Sequence, residues 1–191
     1  MKQETIEGSL IATAHEVVTA VVNPGDVVVD ATVGNGHDTL FLANCVGPGG
    51  RVIGFDLQRE AVESARMRLT AAGVCEAGYE LHALGHEMMG AYVPAGVAAV
   101  MFNLGYLPGG DKQVITQVTT TLDALAAAFA SLRRGGRLSV MCYPGHPGGD
   151  TEAEAVLKWV DGIEAATSSS TCYQRSGARA TTPFLLVVEK S

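Results

Sequence analysis

The stretch VVVDATVGNGHDT, from Val27 to Thr39, decides the fold of this chain. Its first five residues are rich in β-branched valine, which is typical of a parallel strand buried on both faces. A loop containing Gly34 and Gly36 follows, and the chain then enters an apolar stretch with helical spacing. A buried strand that passes through a glycine loop into a helix is the opening unit of an α/β sheet.

Outward from this unit, strands and helices alternate along the chain. Further strands are predicted at Arg51 to Asp56, Tyr79 to His82, Val97 to Asn103, Arg137 to Tyr143, Ser170 to Arg175 and Phe184 to Lys190. Helices are predicted at Ile6 to Val22, Arg59 to Ala72, Thr116 to Leu132 and Glu152 to Ile163, besides the one after the loop. The pattern predicts one domain over residues 1–191 with a doubly wound, mostly parallel, seven-stranded sheet and an antiparallel C-terminal hairpin.

The composition excludes several classes of protein. Hydrophobic residues make up 47% and charged residues 17% of the chain, which argues against disorder. No apolar run approaches the roughly 20 residues that span a bilayer, and the start lacks the pattern of a secretory signal. The four cysteines form no C-x-x-C pair, and we expect no metal site. These features predict a soluble, cytoplasmic protein with no membrane contact.

The glycine loop carries the first functional signal. A dinucleotide-binding fingerprint would place glycine three residues after Gly36, where this chain has Thr39. Asp30 ends the first strand, and its carboxylate would repel a pyrophosphate but attract the ammonium group of a methionine moiety. Asp56 ends the second strand and can accept hydrogen bonds from both ribose hydroxyls, or it can simply cap the next helix. Together these residues favour S-adenosylmethionine (SAM) over NAD.

The second functional signal is Asn103-Leu104-Gly105-Tyr106, directly after a buried strand. The Asn103 side-chain oxygen and the Leu104 carbonyl could accept two N–H hydrogens from an amine and aim its lone pair at the methyl group. Tyr106 could stack on a flat base. The loop resembles the Asn-Pro-Pro-Tyr loop of amino methyltransferases, with Leu-Gly in place of Pro-Pro. An amine would first have to lose a proton, and the candidate bases are His37, Asp111, Tyr143 and His146.

Four longer strings resemble the YtqB/MnmM family, whose members have been labelled rRNA methylases. The strings are DATVGNGHDTLFLA, MFNLGYLPGGDK, YPGHPGG and PFLLVVEK. The resemblance implies the class I methyltransferase fold, SAM as cofactor and, on family grounds alone, a homodimer. It also implies methylation of the aminomethyl group of 5-aminomethyl-2-thiouridine at the tRNA wobble position. The net charge of −7 does not by itself indicate a nucleic-acid binder.

The resemblance assigns site residues by position. Asn103, Leu104 and Tyr106 would be catalytic. The cofactor would contact Asp30, Thr32, Gly34, Asn35, Gly36, His37, Asp38, Thr39, Asp56, Leu57, Gln58, Gly85, His86 and Asn103. The substrate, tRNA through its anticodon stem-loop, would contact His37, Tyr106, Gly109, Gly110, Asp111, Lys112, Tyr143 and His146.

One departure from the family pattern bears on the substrate. Family members usually carry Asn-Gln shortly before the final Pro-Phe, where this chain has Gly177-Ala178. If that pair touches the substrate, the nucleoside preference differs; if it only ties down the hairpin, nothing functional changes. The alternatives to tRNA are rRNA and a small-molecule amine as acceptors, and a module that binds SAM without catalysis is a more distant one.

Overall fold

The computed structural model describes residues 1–106, 109, 115–163 and 165–191. Eight strands form one sheet in the order β1-β7-β8-β6-β5-β2-β3-β4. The strands are β1 (Lys2–Ile6), β2 (Val27–Asp30), β3 (Arg51–Phe55), β4 (Tyr79–His82), β5 (Val97–Asn103), β6 (Leu132–Cys142), β7 (Ser168–Arg175) and β8 (Phe184–Lys190). The helices are α1 (Leu10–Thr19), α2 (His37–Val46), α3 (Arg59–Ala71), α4 (Val118–Ser131) and α5 (Gly149–Gly162), with short 3-10 turns at Glu76–Gly78 and His86–Ala91.

The sheet is mostly parallel, as predicted, but it has eight strands rather than seven. Only β8 runs antiparallel, and it pairs with both β6 and β7, which confirms the C-terminal hairpin. The additional strand is β1, which pairs in parallel with β7 at the edge of the sheet. Lys2, Gln3 and Glu4 are polar and mostly exposed, so β1 carries no apolar alternation that a sequence pattern could detect. Charged residues on an edge strand also protect the edge from pairing with another chain.

The first helix is shorter than the predicted Ile6 to Val22. It begins at Leu10, where the Ser9 side chain accepts a hydrogen bond from the Ala12 N–H at 3.4 Å, and it ends at Thr19. Ile6 belongs to β1 instead. The prediction failed because Ile6 continues the apolar spacing of the helix, whereas the cap at Ser9 sets the true start.

Helices cover both faces of the sheet. On one face α1, α2 and α3 pack over Val28, Val52 and Leu185. On the other, α4 and α5 pack over Val29, Phe102 and other apolar side chains. The strands alternate their side chains between two buried faces, so the central ones read as continuous apolar runs. None of the helices in the described ranges is long and apolar enough to cross a membrane.

The centre of the sheet places the functional segments side by side. β2 pairs in parallel with β3 on one side and with β5 on the other. The chain order reverses between β2 and β5, which makes this the switch point of the sheet, where ligands bind beyond the carboxyl ends of the strands. Asp30, Asp56 and Asn103 all lie at or just beyond those ends.

Candidate active site

Gly36 closes the loop after β2 in a conformation that requires glycine. Its φ is +76°, and it caps the N-terminus of α2 without a side chain. A Cβ at this position would lie 2.6 Å from Ala65 Cα and 2.7 Å from Ala65 Cβ in α3. The left-handed backbone and the close approach of α3 together exclude other residues here. Gly34, also left-handed with φ of +50°, leaves its N–H directed at the neighbouring strand end.

Asp56 joins the glycine loop to the start of α3. Its Oδ2 accepts a hydrogen bond from the Gly34 N–H at 2.8 Å, and its Oδ1 accepts one from the Gln58 N–H at 2.9 Å. The second bond comes from the N–H of Gln58, which is itself the N-cap of α3, so Asp56 does not cap the helix as the alternative from the sequence would have it. Burial raises the pKa of the Asp56 carboxyl, although the two N–H donors act in the opposite direction. Each oxygen retains a further lone pair that a ribose hydroxyl could use.

Asp30 lies fully buried behind the loop. Its Oδ2 accepts a hydrogen bond from the Thr39 hydroxyl at 2.6 Å, and its Oδ1 accepts one from the Thr32 N–H at 3.2 Å. Burial raises the pKa of Asp30 to about 7, and the nearby Asp38 charge adds to the shift. Asp30 and Thr39 have no exposed surface, so any effect of Asp30 on a ligand would be electrostatic or would require the loop to open.

Two neighbouring cavities lie over this edge of the sheet. The first is lined by eight of the residues assigned to the cofactor: Thr32, Gly34, Asp56, Leu57, Gln58, Gly85, His86 and Asn103. His86 is buried there, and burial lowers the pKa of its imidazole, which favours the neutral ring. Phe55 and Glu87 also line this cavity. This cavity is where the sequence placed SAM.

The second cavity takes in three further residues of the predicted loop, whereas Asp30, Gly36 and Thr39 line neither cavity. Asn35, His37 and Asp38, which the resemblance assigned to the cofactor, line it rather than the first cavity. Other predicted residues on its wall are Leu104, Tyr106, Tyr143 and His146. Thr32, Gly34, Asn103, Gly105 and Tyr106 line both cavities, so this group forms the boundary between them.

Asn103 is held at that boundary from two sides. Its backbone N–H donates to the Thr32 hydroxyl at 2.7 Å. Its side-chain Nδ2 donates to Asp38 Oδ2 at 2.7 Å, and the other oxygen of Asp38 lies 2.7 Å from His15 Nε2. The carboxamide is therefore held in the wall between the two cavities.

A hydrogen-bonded chain closes the base of the Asn103 loop. The Gly105 N–H donates to the Thr116 hydroxyl at 2.8 Å, and that hydroxyl donates to Glu152 Oε2 at 2.7 Å. The second oxygen of Glu152 accepts from the Thr121 hydroxyl at 2.6 Å. Glu152 is buried at 3% exposure, so its charge is satisfied by two hydroxyl donors. Sequence reasoning gave no role to Glu152, because a glutamate near a helix start usually faces solvent.

Tyr106 and His146 stand at the mouth of the second cavity. Tyr106 is 41% exposed, and its ring meets the His146 ring edge-on at 5.8 Å between centroids. Tyr143 is half-buried on the same wall, and burial raises the pKa of its hydroxyl. Gly109 is exposed with φ of +84°, and Gly110, Asp111 and Lys112 lie outside the described residues.

Several residues on the wall of the second cavity had no role in the site predicted from the sequence. Ile11 and His15 reach the second cavity from α1, and Thr181 and Pro183 reach it from the turn before β8. His15 stacks on Phe41 with 3.7 Å between ring centroids. A histidine on a predicted amphipathic helix carries no signal of its own, so only the packing of α1 against α2 could reveal it.

The departure at Gly177-Ala178 lies in the turn that follows β7. Gly177 has φ of +71°, and the Ala178 N–H donates to the Arg175 carbonyl at 3.1 Å. Neither residue lines either cavity. Arg175 and Arg179 beside them are exposed. This placement favours the reading in which the pair only shapes the hairpin.

The comparisons with known proteins agree with this geometry. The family described as "Putative rRNA methylase" matches residues 52–189, and a model for protein-L-isoaspartate(D-aspartate) O-methyltransferase matches residues 2–86. A relative from Arabidopsis thaliana, the chloroplastic tRNA (mnm5s2U34)-methyltransferase, is 46% identical over 159 residues. That match covers 78% of this chain and 58% of the relative, so the chain spans less than two thirds of that protein.

Two solved structures match nearly the whole chain. A "putative rRNA-methylase" from Clostridium thermocellum is 38% identical with a TM-score of 0.93, covering 98% of this chain and 100% of that chain. A "putative methyltransferase" from Streptococcus mutans, crystallised with S-adenosylhomocysteine (SAH), is 34% identical with a TM-score of 0.87, covering 97% and 100%. The resemblance seen in the sequence is confirmed, and the chain belongs to the rRNA methylase family of SAM-dependent methyltransferases, which have the class I fold.

Proposed function

We propose that this chain transfers a methyl group from SAM to the 5-aminomethyl group of a (2-thio)uridine at the tRNA wobble position. The observation that carries the proposal is the Asn103 carboxamide in the wall shared by two cavities. Its Nδ2 is engaged by Asp38, which leaves Oδ1 to accept an N–H hydrogen of an amine. The Arabidopsis relative named for this tRNA reaction supports the same acceptor.

The first cavity is the proposed SAM site. Asp56 and Gln58 would hold the ribose side, with His86 near the adenine and Leu57 and Gly85 beside them. The fully buried Asp30 would favour the positively charged methionine end through space, and Thr32, Gly34 and Gly36 would shape the loop around it. The sulfonium methyl would then face the boundary formed by Asn103, Leu104 and Tyr106.

Transfer would proceed by direct displacement. The amine nitrogen uses its lone pair to bond to the methyl carbon while the carbon–sulfur bond breaks, and the sulfur keeps that electron pair in SAH. The product is a secondary ammonium that can then release a proton. Catalysis by the protein would consist mainly of orientation, plus removal of a proton from the incoming ammonium by a wall residue such as His37 or His146. Tyr143 is a poorer candidate, because burial raises the pKa of its hydroxyl and keeps it protonated.

The test is an assay on tRNA that carries 5-aminomethyl-2-thiouridine. The tRNA is incubated with the protein and SAM, then digested for nucleoside mass spectrometry, and we expect a gain of one methyl group on that nucleoside. Asn103→Ala should lower kcat by about 100-fold because the amine loses its orienting acceptor, while SAM still binds by calorimetry. Asn44→Ala, an exposed position on α2, is the matched control and should keep full turnover. Unchanged kcat in Asn103→Ala would refute the orienting role.

A second candidate acceptor is rRNA, which the description of the family favours, and a third is a small-molecule amine. Parallel assays with bulk rRNA and small amines separate these from tRNA. We also propose that residues 1–191 act as one catalytic domain, since strands from both ends of the chain share the sheet. A cytoplasmic location and a homodimer complete the proposal, and sedimentation of the purified protein tests the dimer.

A further inference from the structure

Asp38 follows the glycine loop in the sequence, but its side chain lines the second cavity, which is the proposed site of the acceptor. It lies in the first turn of α2, where an acid would ordinarily serve only to stabilise the helix N-terminus. Here both carboxylate oxygens are used by side chains from other segments: Oδ2 by Asn103 of β5 and Oδ1 by His15 of α1, each at 2.7 Å. A role limited to the helix dipole would not require either contact.

The contact with Asn103 determines which end of its carboxamide faces the cavity. A carboxylate only accepts hydrogen bonds, so it selects the Nδ2 end of the amide and turns Oδ1 away from itself. The described residues make no hydrogen bond to that Oδ1. Without Asp38 the amide could rotate by half a turn and present an N–H donor to the acceptor, which would repel an amine N–H.

His15 holds Asp38 in turn. The His15 ring is stacked on Phe41 at an interplanar angle of 5°. Its Nε2 contacts Asp38 Oδ1, the carboxylate oxygen that Asn103 does not use. The Asp38 side chain is 16% exposed and that of His15 is 30% exposed, so the pair is shielded from water more than a surface ion pair. Three elements, α1, α2 and β5, are thereby joined through one carboxylate.

We propose that Asp38, held by His15, is a positioning residue that sets the orientation of the Asn103 carboxamide and so restricts the enzyme to acceptors bearing N–H hydrogens. This inference rests on the amine methylation proposed above. An aminomethyl nitrogen can donate a hydrogen bond to Oδ1 and keep its lone pair for the methyl group. A ring nitrogen without hydrogen has only its lone pair to offer, so the same carboxamide would repel it.

The decisive test is a double-mutant cycle between Asp38 and Asn103, with kcat, KM for tRNA and SAM affinity measured separately. Asp38→Ala should lower kcat by about 100-fold, because a misplaced orienting group costs about that much, and SAM affinity should stay within about threefold. In an Asn103→Ala background the same change should cost less than about twofold, since Asp38 acts through Asn103. Asp38→Asn should recover part of the loss, because its amide oxygen can still accept from Asn103.

The matched control is Asp26→Asn. Asp26 is a carboxylate of similar side-chain exposure, 18%, whose partner Arg133 lies away from both cavities. It should leave kcat unchanged. If Asp38→Ala does not fold, His15→Ala replaces it, with a loss of about tenfold in kcat that again disappears in the Asn103→Ala background.

A structural readout does not depend on turnover. In protein labelled with 15N-asparagine, the Asn103 side-chain amide protons should exchange slowly with water and lose that protection in Asp38→Ala but keep it in Asp26→Asn. Wild-type kcat in Asp38→Ala, a full loss in the Asn103→Ala background, or a loss confined to SAM affinity would each overturn the inference. If the wild-type protein methylates no amine, the proposed function itself is wrong.

Discussion

The first cavity, which is the proposed cofactor cavity, and the second, which is the proposed acceptor cavity, are built in different ways. The cofactor cavity takes its walls mainly from short segments at the ends of neighbouring parallel strands, among them Thr32, Gly34, Asp56 and Asn103. The acceptor cavity adds residues from α1, from the turn between β6 and α5, and from the turn before β8. These segments are far apart in the sequence. The two cavities share one wall, and both the glycine loop and the Asn103 loop contribute residues to each of them.

The difference shows which interactions determine the geometry of each proposed ligand site. On the cofactor side, glycine conformations and backbone N–H donors around Asp56 set the shape, so the local sequence dictates the geometry. On the proposed acceptor side, the Asp38 carboxylate sets the shape through its hydrogen bonds with Asn103 and His15, which lie far from it in the sequence. We therefore expect backbone changes in the glycine loop to lower SAM affinity more than kcat. Backbone changes on the acceptor side should lower kcat more than SAM affinity.

The largest effect is expected for Gly36→Ala. An alanine must adopt φ of +76° and push its Cβ against Ala65, which costs about 1 kcal/mol in backbone strain and about 1–3 kcal/mol in overpacking. The free protein can relieve this strain by moving the loop out of the conformation that SAM requires, so the strain opposes SAM binding. Because each 1.4 kcal/mol is about tenfold, SAM affinity should fall by about 100-fold. Gly73→Ala has the same φ of +76° but no neighbour within 4 Å, so it should leave SAM affinity intact. Calorimetry measures both, and equal losses would refute the packing argument.

A smaller effect, on the other side of the shared wall, is expected for Gly105→Ala. Its φ is +128°, and a Cβ would lie 3.1 Å from His146 Nε2. The backbone strain of about 1–3 kcal/mol would displace the Asn103 loop and lower kcat by about 30-fold. SAM affinity should fall much less. The control is Gly96→Ala, which has φ of +91° and open space around it. A loss in SAM affinity as large as the loss in kcat would refute the claim that the acceptor side affects turnover more than SAM binding.

The smallest effect expected is on the pH dependence of SAM affinity, which tests the electrostatic role of Asp30 on the proposed cofactor side. Burial, assisted by the Asp38 charge, raises the pKa of Asp30 to about 7. The ammonium and sulfonium charges of SAM favour the ionised carboxylate, so binding below pH 7 must expel a proton. SAM affinity should therefore weaken as pH falls from 8 to 6, by at most about tenfold per unit.

Two variants isolate the contribution of Asp30 to this pH profile. Asp30→Asn should flatten the decline, because no carboxyl remains to titrate. Asp26→Asn should leave it in place: burial acts to raise the pKa of Asp26, but hydrogen bonds from Asn23 and Arg133 outweigh it and lower the pKa, so Asp26 stays ionised. A wild-type affinity that is constant between pH 6 and 8 would show that Asp30 does not sense the ligand.

The central sheet was predictable because its strands are buried on both faces. The runs at Val27 to Val29 and Val97 to Phe102 are apolar without interruption, and the structure has strands at Val27–Asp30 and Val97–Asn103. The strand at Lys2–Ile6 was not predictable, because an exposed edge strand is held by backbone hydrogen bonds to β7 rather than by an apolar pattern. The start of α1 was misplaced for the related reason that Ile6 fits either element.

The candidate site divides in the same way. Asp56 and Asn103 follow directly from their positions at strand ends, and the structure brings both to the switch point. His15 and Thr181 had no signal, and Pro183 was marked only as the first residue of the string PFLLVVEK, because their place in the cavity depends on how α1 and the hairpin pack across the sheet. Asp38 was assigned to the cofactor by its neighbours in the loop, whereas its hydrogen bonds lie on the acceptor side.

The α/β class and the family could be predicted from the sequence, because they follow from the order of apolar segments and from strings of neighbouring residues. The glycine loop and the Asn103 loop could be predicted because each lies within one turn at the end of a strand. The contacts of the Asp38 carboxylate with Asn103 and His15, the hydrogen bond from Thr116 to Glu152 and the eighth strand are visible only in the tertiary structure. Those features are contacts between segments separated by tens of residues. Their existence depends on the packing of helices and strands against one another, which no local pattern contains.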